Sequence, residues 1–321
     1  MKNNRFKTFI SNNTIVPIMV IVLVFAAFVV PGFLNVGNIF NVFNQNAMKG
    51  IMAIGMTFLI INGYFDMSLC TLVGLTAALS CGLQESLGTV PAVLIALLAG
   101  AAVGLINGIL VSYVGINAFV VTLAMMMGCH GIAYIYHKEQ SFVARSEAFI
   151  HFGTGKIGPF SYISILFLLL LVIGHFVLRY TDYGRSTYAI GGNAAAAFNA
   201  GINTKLVTCM NFVVCGFLSG LGGVLYACYA GASTPALGWP DMHMLVIAAV
   251  VLGGTKLSGG SGNVWYTLGG IMLLGIIDNI MNLLNVQTYV STMVNGLIMI
   301  GVLCLDKVMM AKQLKKANLE G

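Results

Sequence analysis

The feature that most constrains this chain is a succession of apolar runs, each broken only by a charge, a proline or a small polar cluster. They fall at 15–33, 47–64, 67–83, 91–113, 117–136, 161–179, 206–229, 242–254, 264–284 and 288–305. About 20 apolar residues in a helix cross the hydrocarbon core of a bilayer. Lipid also forces each backbone polar group to find its partner within the protein, which helices do segment by segment. The runs therefore predict an all-α, polytopic integral membrane bundle of about ten transmembrane helices, some interrupted, with 242–254 short enough for a half-helix. Charged residues make up only 7% of the chain and apolar ones 59%, against roughly 25% and 45–50% in ordinary globular domains. A soluble fold would have little with which to cover its surface. The run at 15–33 follows Lys2, Arg5 and Lys7, but it is too long for the core of a cleaved signal and leads into further runs. It reads as a retained first helix. The expected organisation is a cytoplasmic tail at 1–14, a membrane domain at 15–305 and a second cytoplasmic tail at 306–321.

A net charge of +6 invites a nucleic-acid partner, yet the basic residues stand singly between apolar runs and cluster only at the two ends. Placing the N-terminus inside puts Lys2, Arg5, Lys7, Arg179, Arg185, Lys205, Lys256, Lys307, Lys312, Lys315 and Lys316 in the cytoplasm. Lys49, Lys138, Arg145 and Lys156 are left outside or at the outer boundary. That distribution obeys the positive-inside bias and predicts a multi-pass plasma-membrane protein with both termini cytoplasmic. Membrane lipid is then an expected partner and nucleic acid is not. Two connections are long: an external one at about 137–160, bearing Lys138, Glu139, Arg145, Glu147 and His151, and an internal one at about 180–205. Within the latter, Ala194 to Ala200 is helix-favouring and bracketed by Gly191, Gly192 and Gly201, which predicts a short cytoplasmic helix between hinges.

No catalytic constellation emerges. His130, His137, His151, His175 and His243 are isolated, and the seven cysteines lie inside apolar stretches without metal-ligand spacing. No catalytic residue, metal or cofactor is therefore expected of the chain itself. Gly155-Lys156 is followed by Ile157 and has no glycine five positions before it, so it is not a phosphate-binding loop. Any ATP must be bound by a separate subunit. Ionisable and amide groups at membrane depth are functional hypotheses by default. Asp66 reads as a turn or cap at an interrupted span. Asp278, Asn279 and Asn282 either line a watery path or hydrogen-bond between helices, and Asn107 and Thr122 pose the same choice. These five are the candidate translocation residues. Gly100, Gly104 and Gly108, and likewise Gly216 and Gly220, recur every fourth residue and let helices approach closely. Glycine-rich breaks at 63–68 and 253–262 predict unpaired backbone beside a cavity.

Four segments together carry a resemblance: GYFDMSL at 63–69, GLINGILVSYVGINAFVVTLAMM at 104–126, YGRSTYAIGGN at 183–193 with AGI at 200–202, and IAAVVLGGTKLSGGSGN at 247–263. In this order they resemble the permease subunits of ribose-type ABC importers, which handle ribose, xylose, arabinose, galactose, the autoinducer-2 sugar and related solutes. The similarity runs from about residue 35 to residue 306. It accounts for Leu257-Ser-Gly-Gly, which otherwise mimics an ATPase signature. The resemblance implies a homodimer of permeases, two cytoplasmic ABC ATPase subunits and an extracytoplasmic sugar-binding protein. It also implies coupling to the ATPase through Tyr183, Gly184, Arg185, Gly191, Gly192, Asn193, Ala196, Ala197 and Gly201. Ala194 to Ala197 and Phe198 stand where the family usually carries Glu and Arg. The expected function is import of a monosaccharide by alternating access. Its rivals are a nucleoside or branched-chain amino-acid permease of the same class, an ion-coupled secondary transporter, which would carry more membrane carboxylates than Asp66 and Asp278, and a membrane enzyme.

Overall fold

A computed structural model describes residues 15–301 and 304, except Glu139, Thr288 and Met299. The two tails, with Lys2, Arg5, Lys7, Lys307, Lys312, Lys315 and Lys316, lie outside the described residues. The described chain is a helical bundle. Helices α1 (Ile15–Val29), α2 (Val36–Ile61), α3 (Leu69–Gly82) and the short α4 (Gln84–Leu87) lead to α5 (Thr89–Ser112) and α6 (Ala118–His137). The connection after α6 holds α7 (Glu147–Thr154), and α8 (Tyr162–Tyr180) leads from it to α9 (Asp182–Gly192) and α10 (Ala194–Asn199). Helix α11 (Thr204–Ala230) returns across the bundle, followed by the half-helix α12 (Met242–Leu252), α13 (Val264–Leu283) and helical residues 289–298.

Five of these, α5, α6, α8, α11 and α13, are long and apolar enough to cross a membrane, while α3 and α12 are apolar but shorter. Outer faces carry Phe28 of α1 at 88% exposure and Ile135 of α6 at 79%, with Leu98, Leu169 and Phe176 also exposed. A water-facing surface would not tolerate so much contiguous hydrocarbon; lipid does. Among the described residues strand content is confined to two two-residue pairs, β1 (Phe142–Val143) with β4 (Ala232–Ser233), and β2 (Lys156–Ile157) with β3 (Phe160–Ser161), all antiparallel.

The glycine repeats have a structural use. A Cβ on Gly216 would lie 2.5 Å from the Gly100 carbonyl oxygen, and one on Gly108 would lie 2.8 Å from that of Cys209. Helices α5 and α11 thus touch backbone to backbone, a contact that only small residues permit. Six cysteines, Cys70, Cys81, Cys129, Cys209, Cys215 and Cys228, are buried as small packing groups, whereas Cys304 is exposed.

Two features depart from expectation. Helix α2 begins at Val36 rather than near 47, so Lys49 sits at its middle instead of near its start. The polar residues that broke the apolar run spend their hydrogen bonds inside the protein: Asn38 pairs with Asn279, Asn44 with Ser161 and Ser164, and Asn46 with the Val42 carbonyl. The internal connection forms two helices instead of one. Thr181 caps α9 by accepting from the Gly184 amide, and Asn193 both ends α9 and caps α10 by accepting from Ala196. Gly201, at φ +85°, turns the chain out of α10.

Candidate translocation and coupling sites

A cavity of about 320 Å³ opens between α2, α11, α13 and the helix at 289–298. Gln45, Asn46 and Lys49 line it from α2, Tyr226 and Tyr229 from α11, Asp278, Asn279 and Asn282 from α13, and Ser291 from the last helix. Lys49 Nζ stands 3.4 Å from Asp278 Oδ2, with the two side chains 24% and 29% exposed. Asn295 Nδ2 donates to the other carboxylate oxygen at 3.2 Å. Beside them the amides of Asn38 and Asn279 donate to each other, at 2.9 and 2.8 Å. The ammonium and carboxylate neutralise one another, so the cavity presents polar groups of both kinds with no net charge. Among the described residues its only charges come from α2 and α13, 229 residues apart along the chain.

At the other end of the bundle the two helix breaks meet. The Gly260 amide donates to the Ile61 carbonyl at 2.8 Å, joining the 253–263 loop to the end of α2. Gly191, on α9, packs into the same point. A Cβ there would overlap the Ile61 carbonyl oxygen and lie 2.5 Å from Gly260 N. One on Gly259 would lie 3.0 Å from both Gly191 Cα and Gly63 Cα, and one on Gly260 would lie 2.8 Å from Gly192 Cα. Only glycine allows three chain segments to converge this closely, and Gly63, Gly259 and Gly260 also hold positive φ. Tyr188 adds a side-chain tie, its hydroxyl donating to the Gly262 carbonyl at 2.7 Å, and Tyr183 donates to Asn211 Oδ1 at 2.7 Å. Burial pushes both phenols above the usual tyrosine range, and Arg179 opposes the shift at Tyr188. Helix α9 therefore touches both breaks backbone to backbone.

The sequence profile of the permease component of branched-chain amino acid transport systems matches residues 38–303. The chain belongs to this permease family. The ribose import permease of Escherichia coli strain K12 is 33% identical over 282 residues, 86% of this chain and 87% of that one. Its counterpart in Bacillus subtilis strain 168 is 34% identical over 290 residues, 89% and 90% of the two chains. The L-arabinose transport system permease of Escherichia coli strain K12 is 33% identical over 305 residues, 90% and 88%. No solved structure matches significantly.

In this permease the expected path residues separate into two groups. Asp278, Asn279 and Asn282 share the cavity. Asn107 is fully buried elsewhere, donating to Asp66 Oδ2 and Ser68 Oγ, both at 3.1 Å, and Thr122 is buried with its hydroxyl on the Ala118 carbonyl. Asp66 closes the α2–α3 break by accepting from the Ser68 amide and hydroxyl at 2.8 and 2.6 Å, the turn role its position suggested. Among the expected coupling residues, Gly184 and Gly191 are held tightly, Arg185 pairs with Asp182 and Ala197 is buried, while Gly192 has open space around it and Ala196 faces outward. Lys49 escaped the sequence reading, although a lysine thirteen residues into a helix that continues for twelve more is a signal in itself. Among the described residues no group of three His, Cys, Asp or Glu side chains is arranged to hold a metal.

Proposed function

We propose that this permease imports a monosaccharide of the ribose or arabinose kind by alternating access, driven by a separate ATPase. The carrying observation is that 86–90% of the chain aligns with ribose and arabinose permeases across nearly their whole lengths. The cavity fits this reading, because its lining is amide, hydroxyl and a neutralised ion pair. A branched-chain amino acid, the solute in the family's description, would want an aliphatic wall, and Met48 is the one large aliphatic side chain in that lining. An ion-coupled mechanism would want an unpaired membrane carboxylate beside the path, whereas Asp278 is paired with Lys49.

In this account two copies assemble, with ATPase subunits contacting the α9–α10 face through Tyr183, Gly184, Arg185, Gly191, Gly192, Asn193, Ala196, Ala197 and Gly201. ATP binds to those subunits and not to the permease. A sugar-binding protein docks on the outer connection that holds α7, and both termini are cytoplasmic. ATP-driven closure moves α9, and the glycine junction passes that motion to the two helix breaks. Asp278, Asn279 and Asn282 lie on the path, and Asn107 and Thr122 stiffen the helices around it.

Cells expressing the permease with its ATPase and binding protein should take up labelled ribose, with excess unlabelled ribose or arabinose competing and leucine or uridine not competing. Competition by leucine or uridine, with none by either sugar, would reject the substrate class.

A further inference from the structure

The Lys49–Asp278 pair has a feature that a purely structural ion pair lacks. An ion pair that only staples two helices needs close geometry and further hydrogen bonds on its remaining donors and acceptors to offset the cost of dehydrating it. Here the ammonium makes a single bond, to Asp278 Oδ2 at 3.4 Å, and leaves its other donors toward the cavity. Around it Gln45, Asn282, Tyr229 and Ser291 form no side-chain hydrogen bond among the described residues, although all four line the same cavity. Gln45, Asn282 and Tyr229 are exposed and Ser291 is half-buried, so donors and acceptors uncommitted within the protein stand open to whatever fills the cavity, around one loosely closed pair. The location supports this: Lys49 is at the middle of a 26-residue helix.

We propose that the permease holds its own solute-binding stop, in which an uncharged polyhydroxylated solute bridges Lys49 and Asp278 with adjacent hydroxyls. This rests on the sugar substrate class proposed above and adds that the permease, rather than only a delivering protein, contacts the solute. The chemistry is complementary. One hydroxyl accepts from the Lys49 ammonium while its neighbour donates to the Asp278 carboxylate, and a donor and acceptor held 3.4 Å apart can be spanned by two adjacent hydroxyls. Asn282 and Ser291 offer both donor and acceptor groups to the remaining hydroxyls, and Tyr229, half-exposed at 51%, offers a ring face to the carbon skeleton. The opposed charges cancel, so an anionic or cationic solute gains nothing that its desolvation would not offset.

The test uses the complete transporter in proteoliposomes with labelled D-ribose as probe, reading sugar moved per ATP hydrolysed. The variants are Lys49→Met, Asp278→Asn and the two combined. Wild-type uptake of ribose or arabinose checks the substrate class by itself, and its failure for both sugars removes that class and this site together. Given wild-type uptake, each single variant should lower ribose moved per ATP more than tenfold. The double variant, which has no unpaired charge and should insert and melt like wild type, should stay as deficient as the singles. If the double variant regains wild-type coupling, the pair serves only packing and the proposal is overturned. If a single variant fails to reach the membrane, the double variant decides the matter alone.

Discussion

Gly191→Ala is the sharpest probe of the glycine junction, because its neighbour on the same helix supplies the control. The added methyl would overlap the Ile61 carbonyl oxygen and sit 2.5 Å from Gly260 N, both of them backbone atoms with no rotamer to swing away. Either α9 shifts or the Gly260–Ile61 hydrogen bond at 2.8 Å opens. Overpacking of this kind costs about 1–3 kcal/mol, and stranding the buried amide adds about 1–3 kcal/mol. The better helix propensity of alanine returns up to about 1 kcal/mol. The net is about 3 kcal/mol, on the order of a hundredfold in the folded ratio. At Gly192 nothing lies within 4 Å, so Gly192→Ala keeps only the propensity gain and should be neutral or slightly stabilising. Thermal unfolding of the detergent-purified permease, followed by tryptophan fluorescence, reads the difference. Gly191→Ala should melt clearly lower and, with the ATPase present, move less solute per ATP. Equal melting of the two variants, or greater damage from Gly192→Ala, would refute the convergence of α9, the end of α2 and the 253–263 loop.

Other substitutions test other contacts. Gly104→Ala forces a methyl against the Phe212 backbone and should lower the melting temperature by separating α5 from α11, whereas Gly128→Ala and Gly131→Ala on α6 meet no atom within 4 Å and should match or exceed wild type. Asp66→Ala strands the Ser68 amide and the Asn107 amide group in the bundle and should cost about 3 kcal/mol in unfolding experiments, with Asp66→Asn milder because it keeps an acceptor. Tyr188→Phe deletes the bond to the Gly262 carbonyl and should cost about 1 kcal/mol. Because burial raises the Tyr183 and Tyr188 phenols, their contribution is intact below the unfolded value near pH 10 and is lost as pH climbs through the folded ones. Melting temperature should therefore fall above about pH 10, and less steeply in the double Tyr→Phe variant.

Helices α5, α6, α8, α11 and α13 could be read from the sequence because lipid demands unbroken hydrocarbon and these runs supply it. Helix α2 was read short because its first half satisfies Asn38, Asn44 and Asn46 inside the protein, and such satisfaction cannot be seen in a run of amides. The Gly-Gly pair at 191–192 looked like a hinge by composition, yet it finishes α9, since Gly191 is small for the sake of Ile61 and Gly260 rather than for flexibility. The spacing of Gly100, Gly104 and Gly108 announced a close helix contact without naming α11 as the partner. Asp278, Asn279 and Asn282 were singled out by depth and polarity, but the residue that gives Asp278 its meaning is Lys49, 229 positions earlier. A pairing across that distance leaves no local trace, and only the fold reveals it.

The central claim is that this permease provides a path and borrows its energy through α9. The direct measurement is sugar accumulation in sealed proteoliposomes containing the permease alone or with its ATPase and binding protein. Accumulation above the outside concentration should require the partners and ATP, and should vanish when Tyr183 to Gly201 is deleted from a permease that still inserts. Uphill uptake by the permease alone under an ion gradient would contradict the account.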